Sequence, residues 1–99
     1  MREYIEIEHP GLMLKEDFLD GLGVRPATLA NAIGVDRAAI KNIIDGKRAI
    51  TAEMAIRFGL FFGTSAEFWM NLQKDYELRT AKIAKYDEFA NIIAPFKAA

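Results

Sequence analysis

The sequence predicts an all-α fold, a compact bundle of about five helices. Three observations carry that prediction. Apolar residues recur three and four positions apart through most of the chain, as in Leu14, Phe18, Leu19 and Leu22, the spacing that lines one face of a helix. Glycines and prolines fall between these runs, at helix-stop and helix-start positions. What remains for loops is only a few residues at a time, with no linker, repeat or low-complexity stretch. Helices packed on helices are the architecture such a pattern supports, and 99 residues make one domain.

Each element follows from local chemistry. "YIEIE" (Tyr4 to Glu8) alternates apolar and acidic residues, the pattern of a short half-buried strand. An ordered arm fits the same residues, so 1–8 is an N-terminal arm in either case. At "HPG" a helix begins: His9 can cap, and Pro10 suits the first turn, where its missing N–H costs nothing. Gly21 and Gly23 stop that helix. Pro26 opens the second, with Leu29, Ala30 and Ile33 inward and Gly34 at its end. Asp36 is a good N-cap for the third, whose apolar stripe is Ile40, Ile43 and Ile44 and which Gly46 closes. A fourth starts at Thr51, with Met54, Phe58, Phe61 and Phe62 inward. "TSAE" (Thr64 to Glu67) has the form of a capping box and opens a fifth helix carrying Phe68, Trp69, Leu72 and Tyr76. A last amphipathic stretch, with Ile83, Tyr86, Phe89, Ala90 and Ile93, runs to Pro95 and makes 80–99 a C-terminal helical extension.

Composition narrows the function. The hydrophobic share is 52%, with seven Phe, three Tyr and one Trp. A domain this small hides so much apolar surface with difficulty, so burial against a second copy or another protein is expected. Cysteine is absent, which excludes disulfides and thiolate metal sites. No apolar signal core opens the chain and no run reaches a membrane-spanning length; a cytoplasmic protein is expected. Net charge is −1 but uneven. Residues 1–20 hold two cations against six anions, residues 21–48 hold five against two, and the rest balances at six of each. A local basic patch on a nearly neutral chain can still meet phosphates, with affinity that falls steeply in salt.

That patch sits on the segment "LANAIGVDRAAIKNIIDGKRAIT" (Leu29 to Thr51), which meets the steric demands of a helix-turn-helix. Two helices crossing steeply over a tight turn need a small residue in the first, and Ala30 supplies it. The turn needs a residue at ease in left-handed geometry, and Gly34 supplies it. Val35 is the apolar plug, and Ile40 and Ile43 seal the second helix against the core. The opposite face of the third helix carries Arg37, Ala38, Lys41, Asn42 and Asp45. Arg and Lys donate to guanine O6 and N7, and Asn pairs bidentately with adenine. Ala38 and Ala39 offer methyls to thymine and let the helix sink into the groove. Arg37, Ala38, Lys41 and Asn42 are the candidate base readers. Lys47 and Arg48, beyond the helix, and Thr28, near the start of the second, are the candidate backbone contacts. An ordinary helical hairpin with solvated charges is the plainer alternative.

Three segments together resemble the HigA (VapI-like) antitoxins, within the Xre/Cro-type, lambda-repressor-like helix-turn-helix group. They are "HPG" before the first helix, "DGKRAIT" after the third, and "GTSAEFWMNLQKDYELR" from Gly63 to Arg79. The resemblance covers about His9 to Arg79, and its specific part is the Ser65 to Leu78 run. It implies a homodimer that binds a palindromic operator in its own promoter, represses a small operon, and neutralises a HigB-type toxin, an mRNA endonuclease. DNA reading would then fall to the third helix. One departure is the start of that helix, "DRAA", where relatives are often rich in Ser or Thr.

Other features read as structural. Trp69 with Phe68 reads as a core or dimer anchor. His9, the only histidine, reads as a cap, and Ser65, the only serine, sits at a helix start. No metal spacing, P-loop or dinucleotide fingerprint occurs. No catalysis, cofactor, metal or small-molecule substrate is expected. The readings left open are an antitoxin that autorepresses, a stand-alone Xre-family regulator without a toxin, and a helical module that binds only protein.

Overall fold

The computed structural model describes residues 8–97; the Tyr4 to Glu8 alternation therefore lies, except for Glu8, outside the described residues. Helix α1 (Pro10–Met13) continues directly into a π-wound segment, Leu14–Asp20. Four more helices follow: α2 (Pro26–Ile33), α3 (Arg37–Ile44), α4 (Ala52–Phe62) and α5 (Ala66–Ile92). No strand occurs among the described residues.

Caps and left-handed glycines set the boundaries. The His9 Nδ1 accepts from the Gly11 N–H at 3.0 Å, with Pro10 at the first helical position. Gly34, Gly46 and Gly63 all have φ near +75° and stop α2, α3 and α4; only glycine takes that conformation without a Cβ penalty. Asp36 occupies the α3 N-cap position, but its side chain makes no cap hydrogen bond. The expected capping box at Thr64 is one residue out of register. Ser65 Oγ is the N-cap, accepting from the Phe68 N–H at 3.1 Å, while the Thr64 hydroxyl accepts from Trp69 Nε1 at 2.8 Å.

The core gathers Leu14, Leu19, Leu29, Ile40, Ile43, Ile50, Phe58 and Trp69, all almost fully buried. Trp69 is its aromatic hub. Phe18, Phe58 and Phe68 lie 4.7, 5.1 and 5.2 Å from it, centroid to centroid, within the range where aromatic pairs add to plain burial. Two apolar residues expected inside are outside. Leu22 is exposed, because the π winding before it, closed by bonds such as Gly21 N–H to the Glu16 carbonyl, shifts the helical face. Phe61 lies at the surface, edge-on to Phe62.

The fifth helix and the last amphipathic stretch are one helix. Twenty-seven residues at 1.5 Å each make a rod of about 40 Å. Its first half packs on the domain through Trp69 and Gln73; from Glu77 onward every described residue is exposed. The molecule is accordingly elongated, 56 × 33 × 21 Å.

Candidate nucleic-acid interface

The helix-turn-helix forms as its residues demand. Ala30 is fully buried where α2 meets α3, and Gly34 turns the chain with its N–H on the Ala30 carbonyl. Val35 N–H returns to the same carbonyl at 3.0 Å, while the Val35 side chain packs against the core. Ile40 and Ile43 have no exposed surface. The turn is braced from outside by Arg57, whose guanidinium donates to the Ile33 carbonyl.

With its isoleucines inward, α3 presents Arg37, Ala38 and Lys41 to solvent and leaves Asn42 half-buried at the margin. Ala39 is different: at 9% exposure it belongs to the core, one position around the helix from Ala38, and has no methyl to offer a base. Thr28 is exposed in the first turn of α2. The first internal bond of that helix is Leu29 N–H to the Arg25 carbonyl, 3.0 Å, so the N–H groups before it point out of the helix end.

Beyond α3 the chain is fixed by backbone geometry. Gly46 N–H bonds the Ile43 carbonyl at 3.1 Å, and Lys47 N–H bonds the Asn42 carbonyl at 2.8 Å. These are the paired bonds of a Schellman motif. Arg48 N–H shares the Asn42 carbonyl at 3.1 Å. Lys47 and Arg48, both exposed, are thus held next to the end of α3. Three residues that sequence reading gave no role here complete the frame. A Cβ on Gly11 would land on the Ile43 carbonyl, so the glycine of "HPG" is required for α1 to touch the end of α3. Gln73 is buried and accepts from the Ile50 N–H at 2.9 Å, tying the basic loop to α5. Arg57 braces the turn. Gly11 was visible in sequence only as part of the "HPG" motif, with no contact attached to it, and the partners of Gln73 and Arg57 lie too far along the chain to be read locally.

The electrostatics are mixed. An open groove of about 850 Å³ runs between the π segment, α2 and α3, and is bordered by Lys15, Arg25, Arg37 and Lys41. Lys15 pairs with Asp20 at 3.0 Å and Lys41 with Asp45 at 2.9 Å. The Lys41 hydrogen bond holds the Asp45 carboxyl below its usual range, aided by the charges of Lys41 and Lys47 and opposed by partial desolvation. Arg25, Arg37, Lys47 and Arg48 form no ion pair among the described residues. No cluster of three metal-binding side chains occurs among those residues, and no described helix is long and apolar enough to cross a membrane. Phe68 and Trp69 both pack into this domain's own core.

Comparisons with known proteins fit this geometry. No family model matches the chain. Virulence-associated protein I of Dichelobacter nodosus is 38% identical over 87 residues, spanning 88% of this chain and 79% of its own. Antitoxin HigA-1 of Vibrio cholerae is 36% identical over 85 residues, 86% and 79% of the two chains. Virulence-associated protein A' of D. nodosus is 49% identical over 71 residues, and there the match spans 61% of the relative's length. Among solved structures, the Pseudomonas aeruginosa antitoxin HigA with the higBA promoter superposes with a TM-score of 0.89 at 41% identity, over 93% of this chain and 100% of that one. The antitoxin GraA in complex with its operator gives 0.88 at 34% identity, over 99% of each chain.

Proposed function

The chain belongs to the HigA antitoxin family, and from that premise we propose that it is a DNA-binding antitoxin that represses its own operon and neutralises a HigB-type endonuclease. It acts as a cytoplasmic homodimer and is a regulator rather than a catalyst. One observation carries the DNA reading: the α2–Gly34–α3 pair turns Arg37, Ala38 and Lys41 outward on a framework that superposes, over 93% of this chain, on a HigA held with its promoter. In this reading Arg37, Ala38, Lys41 and Asn42 meet base edges in the major groove, while Thr28, Lys47 and Arg48 meet phosphates.

The second copy belongs on α5. Leu72, Tyr76, Arg79, Ile83, Tyr86, Ala90 and Ile93 follow one another at alternating steps of four and three, the spacing of a helix–helix seam. The first two are covered by the domain, and the rest are open. A partner helix there buries the surplus apolar surface and sets two recognition helices about 34 Å apart, one duplex turn.

The test is a binding titration of the duplex directly upstream of the gene against a shuffled duplex, repeated across salt. A preference of about a thousandfold or more, with affinity falling steeply as salt rises, is expected. A ratio near one discards the operator-binding reading. A small basic reading frame directly beside the gene is what the antitoxin role predicts, and co-expression with it followed by co-purification tests that role separately; a gene with no such neighbour favours the stand-alone regulator.

A further inference from the structure

The seam on α5 begins at a cavity. About 170 Å³ of space lies between α1 and α5, walled by His9, Pro10, Met13, Leu72 and Tyr76. The His9 and Tyr76 rings meet edge to face at 4.9 Å and form one side of it. Leu72 and Tyr76, the first two seam residues, are only half-buried and keep part of their surface here. Glu8 and Asp75 stand on the rim. At the other end of the rod, Ile93 leaves the helix in an extended conformation. Just beyond it the Phe96 ring is 93% exposed, with Lys97 next in the chain. An apolar cavity with an acidic rim suits an apolar ring beside a cation. Within one chain, α5 holds the two about 30 Å apart, at 1.5 Å for each residue from Leu72 to Ile92.

The seam residues are self-complementary when read in opposite directions. With a two-fold axis beside Ile83 and the helices antiparallel, Leu72 faces Ile93, Tyr76 faces Ala90 and Arg79 faces Tyr86, each pair occurring twice. The large Tyr76 meets the small Ala90, and Arg79, the one charged seam residue, lies over an aromatic ring. A parallel pair would set Arg79 against Arg79 and Ala90 against Ala90. In the antiparallel pair, Ile93 of one copy lies on Leu72 of the other. The three residues that follow, Ala94 to Phe96, reach about 10 Å when extended, enough to cross from α5 to α1. We propose that Phe96 of each copy docks in the α1–α5 cavity of the other, with Lys97 at the acidic rim, and locks the two rods in this register. This rests on the reading of α5 as the dimer seam and adds to it a direction, a register and an anchor at each end. His9, in the cavity wall, lies against Gly46, where an added Cβ would sit 3.7 Å from the His9 Cβ. Each anchor therefore ends directly behind the other copy's recognition helix.

The chain has no cysteine, so introduced cysteines report contacts without background. Under mild oxidation, Met13→Cys and Phe96→Cys together in one chain should give a covalent dimer on a non-reducing gel, and neither single variant should. Ile83→Cys alone should cross-link, because it meets its own copy at the axis, and Ala90→Cys alone should not. Phe96→Ala removes a ring that its own domain does not bury, so the helical circular dichroism should hold. Its dimer dissociation constant in sedimentation should rise by about a hundredfold, because two rings per dimer return to water. An unchanged dissociation constant, or cross-linking at position 83 with none between positions 13 and 96, overturns the anchor and leaves α5 as the seam. A covalent dimer of Ala90→Cys overturns the antiparallel register. A wild type that sediments as a monomer, with no cross-link at position 83, removes the α5 seam itself and this proposal with it.

Discussion

Asn42 and Lys47 are five positions apart and joined by a backbone bond, yet their side chains are suited to different tasks. Asn42 lies at the margin of the outward face of α3 and is a proposed base reader, so Asn42→Ala should cost about 1–3 kcal/mol and relax preference at one base position. Lys47 lies beyond the helix, so Lys47→Ala should weaken all duplexes alike and reduce the salt slope by about one; a base-substitution series in the upstream duplex separates the two. His9 carries a further expectation. Burial lowers its pKa, against a smaller opposing pull from Glu77, and its Nδ1 must be unprotonated to accept from Gly11. The folded state therefore binds this proton less readily than the unfolded one. The stability it contributes is present above the ordinary histidine pKa of about 6.5 and is lost as pH falls through the lower folded value. The thermal midpoint of the wild type should fall between about pH 7 and pH 5 by more than that of His9→Asn, which caps without titrating in that range. Equal falls would remove His9 from the account.

At the scale of elements, α5 invites the clearest manipulation. Tyr86 lies on its open seam, far from the buried core. Tyr86→Glu should convert a dimer to a monomer in sedimentation, leave the helical circular dichroism of each chain nearly intact, and weaken operator binding by about a hundredfold or more, because the two half-sites are no longer linked. A persistent dimer would move the interface elsewhere. This element also shows what was legible in sequence. Starts and stops were readable because they are local: Pro26 at a first turn, Gly34, Gly46 and Gly63 where φ is positive, and Thr51 and Ser65 with hydroxyls on the third N–H beyond. The continuity of α5 was obscured by the polar run from Arg79 to Lys82, which holds no breaker and stays helical. The π winding of Leu14–Asp20 left no signature in residue type. Gln73 and Arg57 escaped because their partners, Ile50 and Ile33, lie 23 and 24 residues away. The outward face of α3 was legible apart from Ala39, since adjacent positions differ by about 100° around a helix and one of two alanines had to face inward.

At the scale of the whole molecule, charge and shape divide the labour. Cations border the groove between the π segment, α2 and α3, on a chain whose overall charge is only −1. Long-range attraction to DNA is therefore modest, and discrimination has to come from close contacts rather than from a strong general field. The elongated outline places the helix-turn-helix at one end of a rod whose far half is exposed at every described residue. If two copies clasp along that rod, the span between their reading heads is a property of the rod. Seven inserted residues would lengthen it by about 10 Å, comparable to about three base-pair steps. The molecule then works as a calliper: the gap it measures along a promoter is written in a stretch of protein that never approaches the bases, and it can be reset without touching one letter-reading side chain.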